Sequence, residues 1–129
     1  MLLNVWATWC KPCLREVPEL AKVADQFGDR VTFVAMYYQS EGVADRQVST
    51  WLQGQPEYFS HYVAWGNAAM HALFPSHVLP TTYVVGRGGV VVKKYEGSIT
   101  GEARVADLRA AIEAGLQQPM TAPAPPSGL

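Results

Sequence analysis

Cysteine is scarce in this chain, with two thiols among 129 residues, and charge is sparse, with ten basic and eleven acidic side chains that nearly cancel. A near-neutral balance gives neither nucleic acid nor an acidic membrane surface an electrostatic handle. Long apolar runs are also lacking, because the hydrophobic start breaks at Asn4 and ends by Thr8, short of a bilayer span. A basic leader with a small-residue cleavage site is missing, so no signal peptide is read and location is not written in the residues. Neither a lysine nor a hydroxyl follows Gly86-Arg87-Gly88-Gly89 as a phosphate loop would need, which leaves that segment a turn. What remains is a globular composition, 49% hydrophobic and 16% charged, sized for one domain with its own core.

The two cysteines stand in Trp9-Cys10-Lys11-Pro12-Cys13. Leu2, Leu3, Val5 and Trp6 form the near-continuous apolar run of a strand covered on both faces, and after Thr8 the spacing turns helical. Pro12 suits a first helical turn, where its missing N–H costs nothing and its φ is already set. Cys10 is therefore placed at a helix N-terminus. Unpaired N–H groups, the positive end of the helix dipole and the charge of Lys11 all favour a thiolate there. Such settings lower a cysteine pKa from about 8.5 into the range of roughly 3.5 to 7.5. Cys10 reads as the nucleophile. Cys13, one helical turn on, reads as the buried resolving thiol that attacks a mixed disulfide at Cys10. A structural disulfide across so small a loop restricts the unfolded chain little. Zinc would need two further ligands, and His61, His71 and His77 lack the regular spacing of a finger or ribbon. Reversible redox chemistry is the stronger reading, with no cofactor beyond the Cys10–Cys13 disulfide and no metal.

The pattern predicts strands over Leu2–Ala7, Val31–Tyr37, Thr82–Val85 and Val90–Tyr95, the last two joined as a hairpin through Gly86–Gly89. Helices are predicted over Pro12–Gln26, closed by Gly28, over Val43–Gln53, from an Asn67 cap through Leu73, and over Glu102–Leu116. The order βαβ, helices, ββα gives an α/β fold around a central mixed sheet, its first two strands parallel and its hairpin antiparallel. Residues 1–116 form the domain. The segment 117–129, rich in proline and alanine, cannot build a core and is expected to be a disordered tail.

Leu3-Asn4-Val5-Trp6-Ala7-Thr8-Trp9-Cys10-Lys11-Pro12-Cys13, with Glu16-Val17-Pro18 and the later Leu79-Pro80-Thr81-Thr82-Tyr83, resembles the thioredoxin-like proteins of the TlpA/ResA group. These are envelope thiol:disulfide oxidoreductases, many of them membrane-tethered, several serving cytochrome c maturation. The resemblance runs from residue 2 to about 116. It implies that Cys10 and Cys13 are the redox pair, with Cys10 the exposed attacking thiol. It implies that Pro80 is a cis-proline and that the Leu79 backbone pairs with an extended substrate. It implies a catalytic role for Glu16, which would accept a proton from Cys13, whereas Asn4 stands where thioredoxin carries a buried aspartate. From the residues alone, the alternative reading of Glu16 is an ordinary first-turn glutamate favoured by the helix dipole. Trp9 is expected to shield the disulfide and offer an apolar docking surface, with Lys11 and Pro12 modulating it and Trp6 in the core.

A periplasmic or envelope location, a protein disulfide substrate such as an apocytochrome c, and a membrane electron donor follow from the resemblance only. Family members usually carry a further hairpin and helix before the strand that begins at Leu2. Their lack is expected to uncover the strand Val31–Tyr37, making the chain a monomer or a dimer paired through that edge. The aromatics Tyr37, Tyr38, Trp51, Tyr58, Phe59, Tyr62 and Trp65 fit a substrate groove or ordinary packing. Two other functions stay open: a copper chaperone using Cys10, Cys13 and His77, and a docking module without catalysis. The first is weakened by the spacing of the cysteines, the second by their retention together with Pro80.

Overall fold

The computed structural model describes residues 1–38, 44–55, 63–65 and 68–119. A five-stranded mixed sheet runs in the order β3-β2-β1-β4-β5. Its strands are β1 (Leu2–Trp6), β2 (Phe33–Tyr37), β3 (Val63–Trp65), β4 (Thr81–Val85) and β5 (Val91–Glu96). The helices are α1 (Lys11–Phe27), α2 (Ala44–Gln53), α3 (Ala68–Leu73) and α4 (Glu102–Leu116). The α/β thioredoxin-like architecture implied by the sequence is the one observed.

β1 is central, parallel to β2 and antiparallel to β4, and all five of its residues are buried. That burial on both faces explains the unbroken apolar run. On one face Leu2 and Trp6 pack with Cys13, Val17, Leu20 and Ala21 of α1 and with Leu108 and Ile112 of α4. On the other, Leu3 and Val5 pack with Met36, Tyr83, Val85 and Phe74. Each fully buried Leu or Val contributes on the order of 1.5–3 kcal/mol against the cost of ordering the chain. Gly28 closes α1 at φ +60, in a left-handed conformation that favours glycine, with its N–H donating to Asp25 O.

Several expectations need correction. β2 is not a sheet edge, because β3 pairs with it in parallel, Ala35 opposite Val63 and Tyr37 opposite Trp65. The sequence reading missed β3 altogether. β2 also begins at Phe33 instead of Val31, and β1 stops at Trp6 instead of Ala7. The Asn67 cap and residues 120–129 of the expected tail lie outside the described residues. Among the described residues no helix is long and apolar enough to cross a membrane.

Candidate redox site

β1 delivers the chain from the sheet into the tight segment Ala7–Cys10, where the Cys10 N–H donates to Ala7 O at 3.1 Å. Tyr37, at the end of β2, braces this segment from below. Its hydroxyl accepts from the Thr8 N–H at 3.3 Å and lies 3.0 Å from Thr8 Oγ1, and its ring stands edge-on to Trp6 at 5.1 Å. Cys10 is the N-cap of α1, and its Sγ accepts the Cys13 N–H at 3.3 Å. A thiol in that place satisfies one of the N–H groups left unpaired at a helix start, and a thiolate does so more strongly. Pro12 sits in the first turn, as the spacing predicts. Lys11 is exposed beside it.

Cys10 and Cys13 are joined in a disulfide, with Cα atoms 5.3 Å apart. Cys13 is fully buried, whereas Cys10 keeps 6% of its surface. The order of exposure follows the expected roles, but Cys10 is less open than the resemblance implies. The exposed group is Trp9, at 59%. Its ring meets Tyr38 edge-on at 6.4 Å, and Tyr38 meets His71 of α3 at 5.8 Å. An aromatic row thus runs from the cysteine motif to α3. Trp6 is buried in the core, as expected, against Tyr37 and Trp51.

The Leu79–Pro80 peptide is cis. Pro80 is buried and Leu79 half-buried, and Val78 ahead of them is exposed. The Pro80 carbonyl accepts the Gly97 N–H at 2.9 Å, which ties this turn to the loop after β5.

Glu16 lies one turn beyond Cys13 on the same buried face of α1, and it is only 3% exposed. Asn4 Nδ2 donates to its Oε1 at 2.9 Å and to Thr82 Oγ1 at 2.9 Å, while the Ile99 N–H donates to its Oε2. Burial pushes the Glu16 carboxyl above its ordinary value; the hydrogen bonds from Ile99 and Asn4 and the charge of Arg104 oppose that rise. The sequence reading named Asn4 and Glu16 separately and did not join them. It missed Ile99, whose contribution is a backbone N–H that no residue type advertises.

Among the described residues no three His, Cys, Asp or Glu side chains are grouped to hold a metal ion, and His77 does not join Cys10 and Cys13 in such a set. Of the remaining aromatics, Tyr58, Phe59 and Tyr62 lie outside the described residues, as does His61.

The redoxin family profile matches residues 1–112, and the chain belongs to that family. It is 30% identical over 100 residues to thioredoxin-like protein YneN of Bacillus subtilis, a match covering 78% of this chain and 58% of that protein. It is 28% identical over 116 residues to the thiol-disulfide oxidoreductase ResA of the same species, covering 89% and 62% respectively. The chain thus spans about three fifths of these relatives' lengths. Among solved structures, a thioredoxin-family thiol:disulfide interchange protein from Chlorobium tepidum matches with a TM-score of 0.67 at 21% identity, over 89% of this chain and 78% of that one. That likeness shows the fold. Together these findings define a thioredoxin-fold disulfide protein related in broad terms to the ResA, DsbE and CycY proteins. A cysteine pair that closes at the start of α1, in this fold, supports oxidoreductase activity.

Proposed function

We propose that this domain, residues 1–116, is a thiol-disulfide oxidoreductase of the TlpA/ResA type that reduces disulfides in envelope proteins. The observation that carries the reading is the asymmetry of the pair: Cys10 Sγ caps α1, and Cys13 is sealed one turn below it. The capping position of Cys10 and its small residual exposure support it as the attacking thiolate.

The Cys10 thiolate attacks one sulfur of a substrate disulfide, forming a mixed disulfide and releasing the other substrate sulfur as a thiolate. Cys13 then gives its proton to the Glu16 carboxylate and attacks Cys10 Sγ. The second substrate sulfur leaves as a thiolate, and the Cys10–Cys13 disulfide described above is the product. Trp9 supplies an apolar platform, and the backbone at Leu79, beside cis-Pro80, pairs with an extended substrate segment. Lys11 and Pro12 tune the site through charge and helix geometry. An apocytochrome c as substrate, a membrane electron donor and a periplasmic setting complete the proposal, supported by the resemblance to the TlpA/ResA group.

Cys13→Ser is expected to accumulate a covalent mixed disulfide with a protein substrate, and Cys10→Ser to accumulate none. Equal trapping by both, read on non-reducing gels, would reverse the roles. Direction is a separate matter, set by the potential of the pair. Equilibration with glutathione and dithiothreitol is expected to give about −270 mV or lower, the range of a reductant, whereas a value near −120 mV would mark a disulfide donor.

A further inference from the structure

The loop between β5 and α4 is fastened along its length. Gly97 and Gly101 bound it with φ of +82 and +84, and between them the backbone makes its contacts. The Gly97 N–H holds the Pro80 carbonyl at 2.9 Å, and the Ile99 N–H donates to Glu16 Oε2 across 83 residues of chain. Arg104, in the first turn of α4, reaches back so that its guanidinium donates to Ser98 O at 2.7 Å.

Ser98 C=O and Ile99 N–H are the two ends of a single planar peptide group. A cation bonded to that oxygen draws electron density toward it and makes the N–H at the other end a stronger donor. It also fixes the plane in the orientation that aims the N–H at the carboxyl. We infer that Arg104 is a positioning residue for Glu16, acting through the Ser98–Ile99 peptide to favour the carboxylate over the carboxylic acid beside Cys13.

The surroundings of Arg104 fit this role. Its guanidinium lies 6.0 Å from the centre of the Tyr95 ring, whose hydroxyl donates to Asp107 at 2.6 Å. Asp107 is in turn paired with Lys93 at 3.3 Å, and Arg104 acts on its charge as well. The groups acting on the Glu16 charge are the Asn4 amide from β1, the Ile99 N–H from the loop and Arg104 from α4, with Thr82 of β4 reaching it through Asn4. Burial opposes all of them.

In its redox consequence the inference rests on Cys10 and Cys13 being an exchanging pair. Reduction of the disulfide by a dithiol such as dithiothreitol breaks the S–S bond with two electrons and delivers two protons to the sulfurs. A third group that changes its protonation alongside bends the dependence of the potential on pH. The test therefore reads Glu16 directly first. The carboxyl carbon of Glu16 is followed by NMR through a pH titration of the oxidised full chain, together with the Ile99 amide proton.

In Arg104→Gln the Glu16 titration is expected to move to higher pH and the Ile99 amide resonance to shift upfield, with Arg104→Lys restoring part of both. An unmoved Glu16 titration would overturn the inference. So would a Glu16 shift with the Ile99 amide unchanged, since the cation would then act through space and not through the peptide. In the reduced-to-oxidised equilibrium, the bend in potential against pH should follow Glu16 upward in Arg104→Gln and be absent from both Glu16→Gln and the double variant. Failure of the wild-type pair to equilibrate with any thiol would sink the oxidoreductase reading, an outcome distinct from a silent Arg104→Gln in the carboxyl titration.

Discussion

A buried acid beside a disulfide has a cost that can be measured. Because burial raises the Glu16 carboxyl above its ordinary value of 4.5, the folded chain holds that proton more tightly than the unfolded chain does. The stability linked to it is fully present below the unfolded value and is lost as pH rises through the folded one. Glu16→Gln is neutral at every pH and escapes that loss. The gap between the melting temperatures of the two proteins should therefore be constant well below pH 4.5 and shift in the variant's favour above it. Curves that stay parallel through this window would show that the carboxyl ionises in the core without penalty. Both Glu16 oxygens accept from N–H donors, so glutamine, with one acceptor oxygen, keeps only one of the two bonds, and the pH dependence of the difference is what isolates the cost of the charge.

The strands explain why the chain need not pair through its sheet. Among the described residues the edges are β3 and β5, not β2. β3 is only three residues long, and β5 presents exposed Lys93 and Lys94 along its length. Short strands and lysines both discourage edge-to-edge association. A single mass near 14.1 kDa is expected by light scattering across a hundredfold range of concentration. A mass that doubles with concentration would point to another surface, such as the exposed apolar Val90 and Val91 at the start of β5. The same short strand shows where sequence reading fails at this scale. Val63-Ala64-Trp65 is too brief to establish a period, and it becomes a strand because β2 offers it an unpaired edge. By contrast, β1 and α4 announce themselves, the one by an unbroken apolar run and the other by Leu108, Ala111 and Ile112 at helical spacing.

For the molecule as a whole, legibility follows distance along the chain. Cys10, Pro12 and Cys13 lie within one turn, and local chemistry alone placed them correctly. Pro80 and the burial of Glu16 were reached through resemblance, because nothing in the spacing brings residue 80 or residue 16 to the thiols. Ile99 and Arg104 were invisible, since the bond from Ile99 to Glu16 spans 83 residues and uses backbone atoms. That long bond bears on the order in which the site comes into being. During synthesis the cysteines emerge ahead of both the Thr82 that holds Asn4 and the peptide that holds Glu16. Until Ile99 has been made, the growing chain thus displays both thiols before their carboxyl neighbour has its full set of partners. Thiols that are buried in the finished protein are, until those later residues fold over them, open to whatever oxidant they meet.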